Sequence, residues 1–472
     1  MLVELAALPS SRLWDVAVVG SGPAGMTAAV ALARLGRDVV LLEGGDRYYS
    51  DESQAQYEGE VIGDKYFDLA ACRLRTLGGT SVHWSGWTRP FEADDFDRRD
   101  MDSLAWWPIG RADLDPYLAT AAKMLGVKDE YWSRGIGDGL RQFNFQIAEA
   151  PTRFAEAYLD EVTASKRLTL ALNSNLIGMD TEAGRITSLT MADYKGQRRT
   201  VRAKAFVMAC GGIENSRLLL HFNGQSQGQL IKAPATLGRY WMEHPHFDIG
   251  RGIVPMDSPV HSYFAFQPDE LRRRHVFNAG LRLERTEQSG RRRIRLASLA
   301  CEAPALAMQL ASRLEDNLNC EANIRAAWEQ APRADNRITL DPKARDAMGI
   351  PRVQLQWRKS AADLANMREL ALAYGAHLVD TNTGRIKLAD WVFGEADYPT
   401  DDELAGYHHI GGTRMSLTPE TGIVDRNLKV FGQDNLYMAG SSVFPTGGHV
   451  NPTMTITQLS MRLADHLNRR AL

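Results

Sequence analysis

Residues 15–43, DVAVVGSGPAGMTAAVALARLGRDVVLLE, contain the pattern that decides the fold. A short apolar run leads into Gly20-Ser-Gly22-Pro-Ala-Gly25, a helix-forming segment follows, and a second apolar run ends on Glu43. The glycines allow a tight turn, close approach of backbone N–H groups to a pyrophosphate, and close packing of the helix on the strand. Glu43 comes 18 residues after Gly25, near the spacing of about 20 that is typical of a carboxylate binding the adenosine ribose. We therefore predict a dinucleotide-binding βαβ unit.

The glycine signature by itself does not distinguish FAD from NAD. The motif opens the chain, and hundreds of residues follow before the candidate reaction motif near the C-terminus. This position favours a permanently bound FAD.

Composition limits the class of protein and its partners. The chain has 472 residues, of which 44% are hydrophobic, so roughly two or three domains with large cores are expected. The net charge of −3 provides no overall basic field for nucleic acid or an anionic membrane. Small neutral or weakly charged partners fit better.

The sequence also indicates a location and a redox setting. The N-terminus lacks a cationic region leading into an apolar run with a cleavage site, and no stretch approaches the roughly 20 apolar residues of a membrane span. We expect a cytoplasmic protein. Cys72, Cys210, Cys301 and Cys320 show no CxxC spacing, so neither a zinc site nor an iron–sulfur cluster is expected.

A second glycine-rich loop lies at residues 74–90, LRTLGGTSVHWSGWTRP. Gly78 and Gly79 would let the backbone pass close to a flat ring or a phosphate. His83, Trp84 and Trp87 follow them. Taken alone, the tryptophans favour core or interface packing, and His83 could be a hydrogen-bonded structural imidazole.

The candidate reaction motif is at residues 407–455. His408 and His409 precede a Gly-Gly turn, a short apolar strand ends at Gly440, and His449 and Asn451 precede a helix that begins with Pro452. Histidine is the side chain best able to exchange protons near neutral pH. A helix N-terminus supplies unpaired N–H groups and partial positive charge. This stretch therefore predicts the reaction face of a flavoenzyme.

The middle of the chain predicts how the domains are arranged. Residues 167–208 alternate apolar runs and turn signals like a β-meander, and AFVMACGG and IENSRLLL then read as a strand and a helix that return to the first nucleotide-binding unit. Residues 142–159 are predicted to be helical, and a long amphipathic helix is expected over 361–377. We predict a discontinuous FAD domain (1–90, 160–250, 405–472), a connecting region (91–159) and a substrate domain (251–404).

These motifs together resemble a known family. GSGPAG with Glu43, LGGTSVHWSG, ACGGIENSRLLL, LGRYWMEHP, HHIGGTRM and NLYMAGSSVFPTGGHVNPTMTI are similar to the glucose-methanol-choline (GMC) oxidoreductases, and most similar to the branch of pyranose oxidases and bacterial sugar and gluconate dehydrogenases. The resemblance is weakest over about 256–335. It implies an α/β fold, with a Rossmann-like FAD domain and an α+β substrate domain built on a mostly antiparallel sheet.

The resemblance also implies site residues. The catalytic histidine before x-Gly-Gly-Thr falls on His409, and the second catalytic position beside the last proline falls on Asn451. His409 would act as general base and Asn451 would bond the same substrate oxygen. The flavin-binding positions implied are Gly20, Gly22, Pro23, Ala24, Gly25, Glu43, Gly78, Gly79, Thr80, His83, Trp84, Ser85, Gly440, Ser441, His449, Pro452 and Thr453. Several family members have an acid where this chain has Gly440.

Two points stay open at the level of sequence. Some members link the histidine at position 83 covalently to the flavin, and others carry it without the link. The expected reaction is oxidation of a hydroxyl of a sugar, glycoside, aminosugar or cyclitol, with dioxygen or a diffusible acceptor as re-oxidant. The alternatives are a lyase that uses the flavin structurally, a choline- or sterol-type alcohol oxidase, and a non-catalytic flavin-binding module.

Overall fold

A computed structural model describes residues 1–98, 102–254, 261–285, 322–396 and 406–470, with the single positions 303, 306, 309, 310, 399, 403 and 404. The strands are β1 (Leu2–Glu4), β2 (Leu13–Val19), β3 (Val39–Leu42), β4 (Gly59–Gly63), β5 (Trp87–Thr88), β6 (Ser133–Gly137), β7 (Leu140–Phe143), β8 (Gln146–Ile147), β9 (Leu168–Leu172), β10 (Asn175–Glu182), β11 (Arg185–Ala192), β12 (Arg198–Met208), β13 (His246–Ile253), β14 (His261–Phe266), β15 (Ala279–Arg285), β16 (Ala322–Trp328), β17 (Arg337–Arg345), β18 (Pro351–Trp357), β19 (Arg385–Leu388) and β20 (Leu436–Met438).

The α-helices are α1 (Pro23–Arg34), α2 (Asp51–Gln54), α3 (Ala93–Phe96), α4 (Leu118–Met124), α5 (Phe154–Ala164), α6 (Glu214–Gln225), α7 (Pro268–Arg274), α8 (Ala361–Asp380), α9 (Asp390–Phe393) and α10 (Thr453–Arg469). Short 3-10 turns cover Leu5–Ala7, Ala55–Tyr57, Gly79–Val82, Arg111–Asp113, Asp115–Tyr117, Pro234–Thr236 and Ser441–Val443. The helices predicted after the first strand, after AFVMACGG, at 361–377 and after Pro452 are all confirmed.

The first sheet is the predicted Rossmann-like layer. Its strand order is β1-β9-β3-β2-β12-β11-β10, and β20 pairs with β12. The pairs β2–β3, β3–β9, β2–β12 and β12–β20 are parallel, and β10 to β12 pair antiparallel. The chain thus returns twice to the centre of this sheet, through β12 and through β20. The carboxyl ends of β2, β12 and β20 consequently lie side by side.

The second sheet has the order β19-β13-β16-β15-β14-β7-β6, and all its pairs are antiparallel. Burial alternates along β15 and β16, as expected for a sheet with two different faces. Ala279, Leu281 and Leu283 share one apolar cluster with Leu370 and Tyr374 of α8. Because side chains alternate between faces, the intervening residues of β15 face away from that helix. This confirms the predicted α+β second part.

The structure differs from the sequence-based prediction at one helix and adds a third sheet. The helix predicted over 142–159 is wrong at its start, because β7 runs to Phe143, β8 follows, and α5 begins only at Phe154. The residues before Phe154 have become ladder partners of β14 and β5. A third sheet, β17-β18-β4, joins strands from widely separated parts of the chain. The boundaries of the three predicted domains stay a prediction.

Candidate active site

A cavity of about 470 Å³ contains most of the predicted site, a volume typical of small-molecule sites. Its lining includes Gly20, Gly22, Pro23, Ala24, Glu43, Gly79, Thr80, His83, Trp84, Ser85, His409, Gly440, Ser441, His449, Asn451, Pro452 and Thr453. The structure therefore brings together side chains from the N-terminal turn, the second glycine loop and the C-terminal motif. Gly25 and Gly78 are not part of the lining.

Those two glycines are packing positions. A Cβ at Gly25 would lie 1.8 Å from the carbonyl oxygen of Gly20, so only glycine lets α1 approach the turn. Gly78 has a φ of +84° and a Cβ there would lie 2.8 Å from the nitrogen of Ala155. Both support the walls of the cavity from behind.

The N-terminal turn has room for a phosphate group. Within the described chain, no atom lies within 4 Å of the place that a Cβ of Gly22 would occupy. Gly22 immediately precedes α1, with Pro23 in its first turn, so unpaired N–H groups of the helix start at this wall. A Cβ at Gly79 would meet only the Cα and N of Gly22, at 3.1 and 3.7 Å. Two backbone segments thus form a cradle without side chains, which fits a pyrophosphate.

Glu43 is held at the end of β3, on the same wall. Its Oε2 accepts hydrogen bonds from the nitrogen (2.9 Å) and Oγ (2.6 Å) of Ser21. Its Oε1 accepts from the nitrogen of Gly45 at 2.8 Å. These donors stabilise the carboxylate beside the glycine turn, where the sequence predicts that it binds the adenosine ribose.

The C-terminal histidines line the same cavity, and His408 is linked to Asn451. His244 Nε2 is 3.0 Å from the carbonyl oxygen of Gly447, which can only accept, so this nitrogen carries the proton. Burial lowers the pKa of His244 to about 4, so the ring is neutral and its Nδ1 accepts from Nδ1 of His408 at 2.9 Å. The lone pair of His408 is consequently on Nε2, which lies 3.1 Å from the Asn451 Nδ2.

His409 has different surroundings. Its Nε2 lies 3.5 Å from the Cys72 Sγ, and its ring packs against Tyr66 and Trp241 with centroids 6.1 and 6.0 Å apart. Burial is the main reason that the pKa of His409 is lowered to about 3, and the positive charge of Arg73 is the second reason. The structure therefore brings Asn451 together with His408, and it places the neutral imidazole of His409 beside a thiol.

Glu243 holds the backbone of both His244 and His408. Its Oε1 accepts hydrogen bonds from the backbone nitrogens of His244 (2.9 Å) and His408 (2.7 Å), and its Oε2 accepts from the Tyr66 hydroxyl. Burial raises the pKa of Glu243 to about 7. A titrating carboxyl thus sits directly behind the candidate bases.

Comparison with known proteins assigns the family. Residues 15–329 match the model of the FAD dependent oxidoreductases, and residues 332–460 match that of the GMC oxidoreductases. The protein belongs to the FAD-dependent GMC oxidoreductases. It is 27% identical to the fructose dehydrogenase large subunit of Gluconobacter japonicus, over 96% of this chain and 97% of that one. It is 25% identical to paromamine 6'-oxidase of Streptomyces fradiae, over 96% and 91%.

A solved structure shares the fold of this GMC oxidoreductase. Pyridoxine 4-oxidase from Mesorbium loti superposes with a TM-score of 0.60 at 14% identity, covering 96% of this chain and 99% of that one. Family membership confirms that the enzyme is an FAD-dependent oxidoreductase acting on CH–OH groups, as the motifs predict. When bound, FAD supplies an acceptor for a hydride. In the described part of the chain, no helix is long and apolar enough to cross a membrane.

Sequence reasoning missed several residues of the GMC oxidoreductase cavity. Arg73, Arg75, Cys72, His244, Tyr263 and Arg282 all line it. The two arginines come shortly before Gly78-Gly79, and a basic pair ahead of a glycine turn is a signal that could have been used. Tyr263 and Arg282 lie in β14 and β15, within the stretch of weakest family resemblance, and only the strand pairing brings them to the cavity.

Proposed function

We propose that this GMC oxidoreductase oxidises a hydroxyl of a sugar, glycoside, aminosugar or cyclitol to a carbonyl. The observation that carries the proposal is the shared cavity, which is lined by the glycine turn, Glu43, two neutral imidazoles and the Asn451 amide. The names of the relatives, a fructose dehydrogenase and a paromamine 6'-oxidase, support a polyhydroxylated substrate.

The residues have separate tasks in this reaction. A hydride can leave an alcohol carbon without positive charge building up there only if the hydroxyl proton also leaves, so a neutral imidazole acts as base. The Asn451 amide holds the alcohol oxygen while charge shifts onto it. Burial keeps the imidazoles of His409 and His408 neutral, because the pKa of both is lowered.

The base is assigned to His409, as the sequence motif predicts. A specific observation makes His408 the second candidate. Its Nε2 carries the lone pair and lies beside Asn451, and His244 holds the ring in that tautomer. Both candidates predict the same overall reaction, and single substitutions separate them.

Anaerobic mixing tests the function. Purified holoenzyme is mixed with a panel of monosaccharides, glycosides, aminosugars and cyclitols, and the flavin absorbance is followed. We expect at least one polyol to bleach the flavin. If none does, the substrate class is wrong, and turnover with the flavin oxidised throughout would indicate a lyase instead.

The remaining expectations belong to the same proposal. Dioxygen or a diffusible acceptor re-oxidises the enzyme, and the cytoplasm is its location. His83 lines the cavity, and burial lowers its pKa. A link between His83 and FAD is measured by acid precipitation, because covalent flavin stays in the pellet and a dissociable flavin goes to the supernatant.

A further inference from the structure

The second sheet presents ordered rows of side chains to the cavity. In the β14–β15–β16 ladder, Ala265, Gly280 and Ala327 are partners in one row. Tyr263, Arg282 and Arg325 are partners in the next row on the same face. Rows two residues apart along a strand are separated by about 7 Å.

The row of small residues lies against His449. A Cβ at Gly280 would lie 2.6 Å from Cδ2 of His449, two positions before Asn451. Ala265, Gly280 and Ala327 have little or no side chain, and the His449 ring occupies the space that a side chain at Gly280 would need. Asn451 lines the same cavity as Tyr263 and Arg282 of the next row, so a substrate with its reacting hydroxyl at Asn451 can extend toward that row.

The next row contains buried hydrogen-bonding atoms that have no partner among the described residues. Tyr263 is 7% exposed, and among the described residues nothing hydrogen-bonds to its hydroxyl. The Arg282 Nε is likewise buried and unpaired within that part of the chain. Both residues line the cavity. A buried polar group without a partner is costly, so each is expected to find one in a ligand.

Trp87 forms an aromatic wall beside these groups. Its ring lies 5.8 Å from the ring of Tyr263, and the Arg282 Cζ lies 4.9 Å from its centroid. A flat apolar surface with a few directed polar groups is the usual composition of a small-molecule site. A sugar ring matches it, because such a ring has an apolar C–H face and hydroxyls at its edge.

The charges of this face indicate that the ring is neutral. Arg282 pairs with Glu284 at 3.4 Å, and Arg325 pairs with Glu284 and with Asp248, both at 2.8 Å. Two cations and two carboxylates therefore compensate each other. An additional carboxylate on the ligand would be in excess, whereas hydroxyls can accept from Arg282 and Tyr263 without adding charge.

We propose that Tyr263 and Arg282 form a binding subsite for a second, neutral sugar ring, one row along the sheet from the reacting hydroxyl. The inference rests on the proposed function and narrows its substrate class to glycosides that carry such a ring. Tyr263 and Arg282 act in binding and not in the chemical step.

The test uses Tyr263→Phe and Arg282→Met, with maltose and cellobiose as two-ring probes and the methyl glucosides as one-ring probes. Tyr374→Phe is the matched control, because the hydroxyl of Tyr374 in α8 is also buried and unpaired in the described chain, but Tyr374 is not part of the cavity lining. In anaerobic flavin reduction, we expect each variant to raise the half-saturating concentration of the disaccharide about threefold to tenfold. The limiting rate and the methyl glucoside kinetics are expected to stay within about twofold.

A binding measurement separates this inference from the proposed function. Saturation-transfer NMR on dithionite-reduced holoenzyme, which cannot turn over, should show contact to both rings of the disaccharide. The signal of the second ring should weaken relative to that of the first ring in both variants and stay unchanged in Tyr374→Phe. Equal signals in all proteins, or equal use of one-ring and two-ring probes by the wild type, would overturn the subsite while leaving the function intact. If no polyol bleaches the flavin, the function fails, and the NMR result still decides whether the subsite exists.

Discussion

The Asn451 Nδ2 lies 3.1 Å from the His408 Nε2, so the amide and the first histidine of the pair form one unit. His244 completes it, because its protonated Nε2 bonds to Gly447 and its Nδ1 accepts from His408. The motif assigns the base to the second histidine, His409, whose Nε2 instead lies beside Cys72. The two histidines are therefore adjacent in sequence but belong to different hydrogen-bonding networks.

Substituting the two histidines one at a time tests the assignment of the base. His409→Ala should lower the rate of flavin reduction by about 10² to 10⁴, the usual contribution of a general base. His408→Ala should lower it about tenfold, by releasing Asn451. Stopped-flow absorbance under anaerobic conditions measures both, with retained FAD as the control. A larger loss of rate in His408→Ala than in His409→Ala would show that His408 is the base.

Asn451→Asp should separate the two candidate bases by its pH dependence. A carboxylate beside His408 favours the protonated imidazole, and so raises its pKa relative to that in the wild type. If His408 is the base, flavin reduction in this variant should fall as the pH decreases. If His409 is the base, this variant should be slow at every pH, as Asn451→Ala should be. Rate profiles of the two variants between pH 5 and about 9 provide the comparison, and a fall at low pH in Asn451→Asp alone would contradict the assignment to His409.

Substitutions at Gly22 and Gly25 should have different effects, namely loss of FAD in the first case and loss of stability in the second. A side chain at Gly22 would enter open space in the cavity, so Gly22→Val should fold and lose FAD. Gly25→Ala would place its Cβ 1.8 Å from the Gly20 oxygen, so the helix must shift and the fold itself should be destabilised. Flavin absorbance after gel filtration and the Tm of the apoprotein distinguish the two losses. A Gly22→Val protein with full flavin content would contradict the proposed pyrophosphate position.

Glu243 should make stability depend on pH. Burial raises its pKa from 4.5 to about 7, so between these values the folded state binds the proton more tightly than the unfolded state. Its stabilising contribution is therefore full below pH 4.5 and is lost as the pH rises through about 7. The upper limit of this contribution to the free energy of unfolding is about 3 kcal/mol. Glu243→Gln should flatten the Tm profile over this range relative to wild type. An unchanged slope would show that the carboxyl does not titrate there.

Much of the cofactor site could be predicted from sequence because each of its segments is a short local pattern. The turn from Gly20 to Gly25, the Gly78-Gly79 loop and the helix after Pro452 depend on local backbone requirements, which glycine and proline reveal directly. The predicted helix over 142–159 was wrong at its start because β7 is stabilised by pairing with β14, a partner more than one hundred residues away. Local propensity cannot report such a pairing.

The sequence by itself determined the βαβ unit, the acid at the end of its second strand and the grouping of histidines near the C-terminus, because each is a short-range pattern. Only the tertiary structure decided which histidine contacts Asn451, since His244 comes from the segment before β13 and fixes the ring of His408 by a direct hydrogen bond. It also decided that Tyr263 and Arg282 share a row, because the register between antiparallel strands depends on packing of the opposite face against α8.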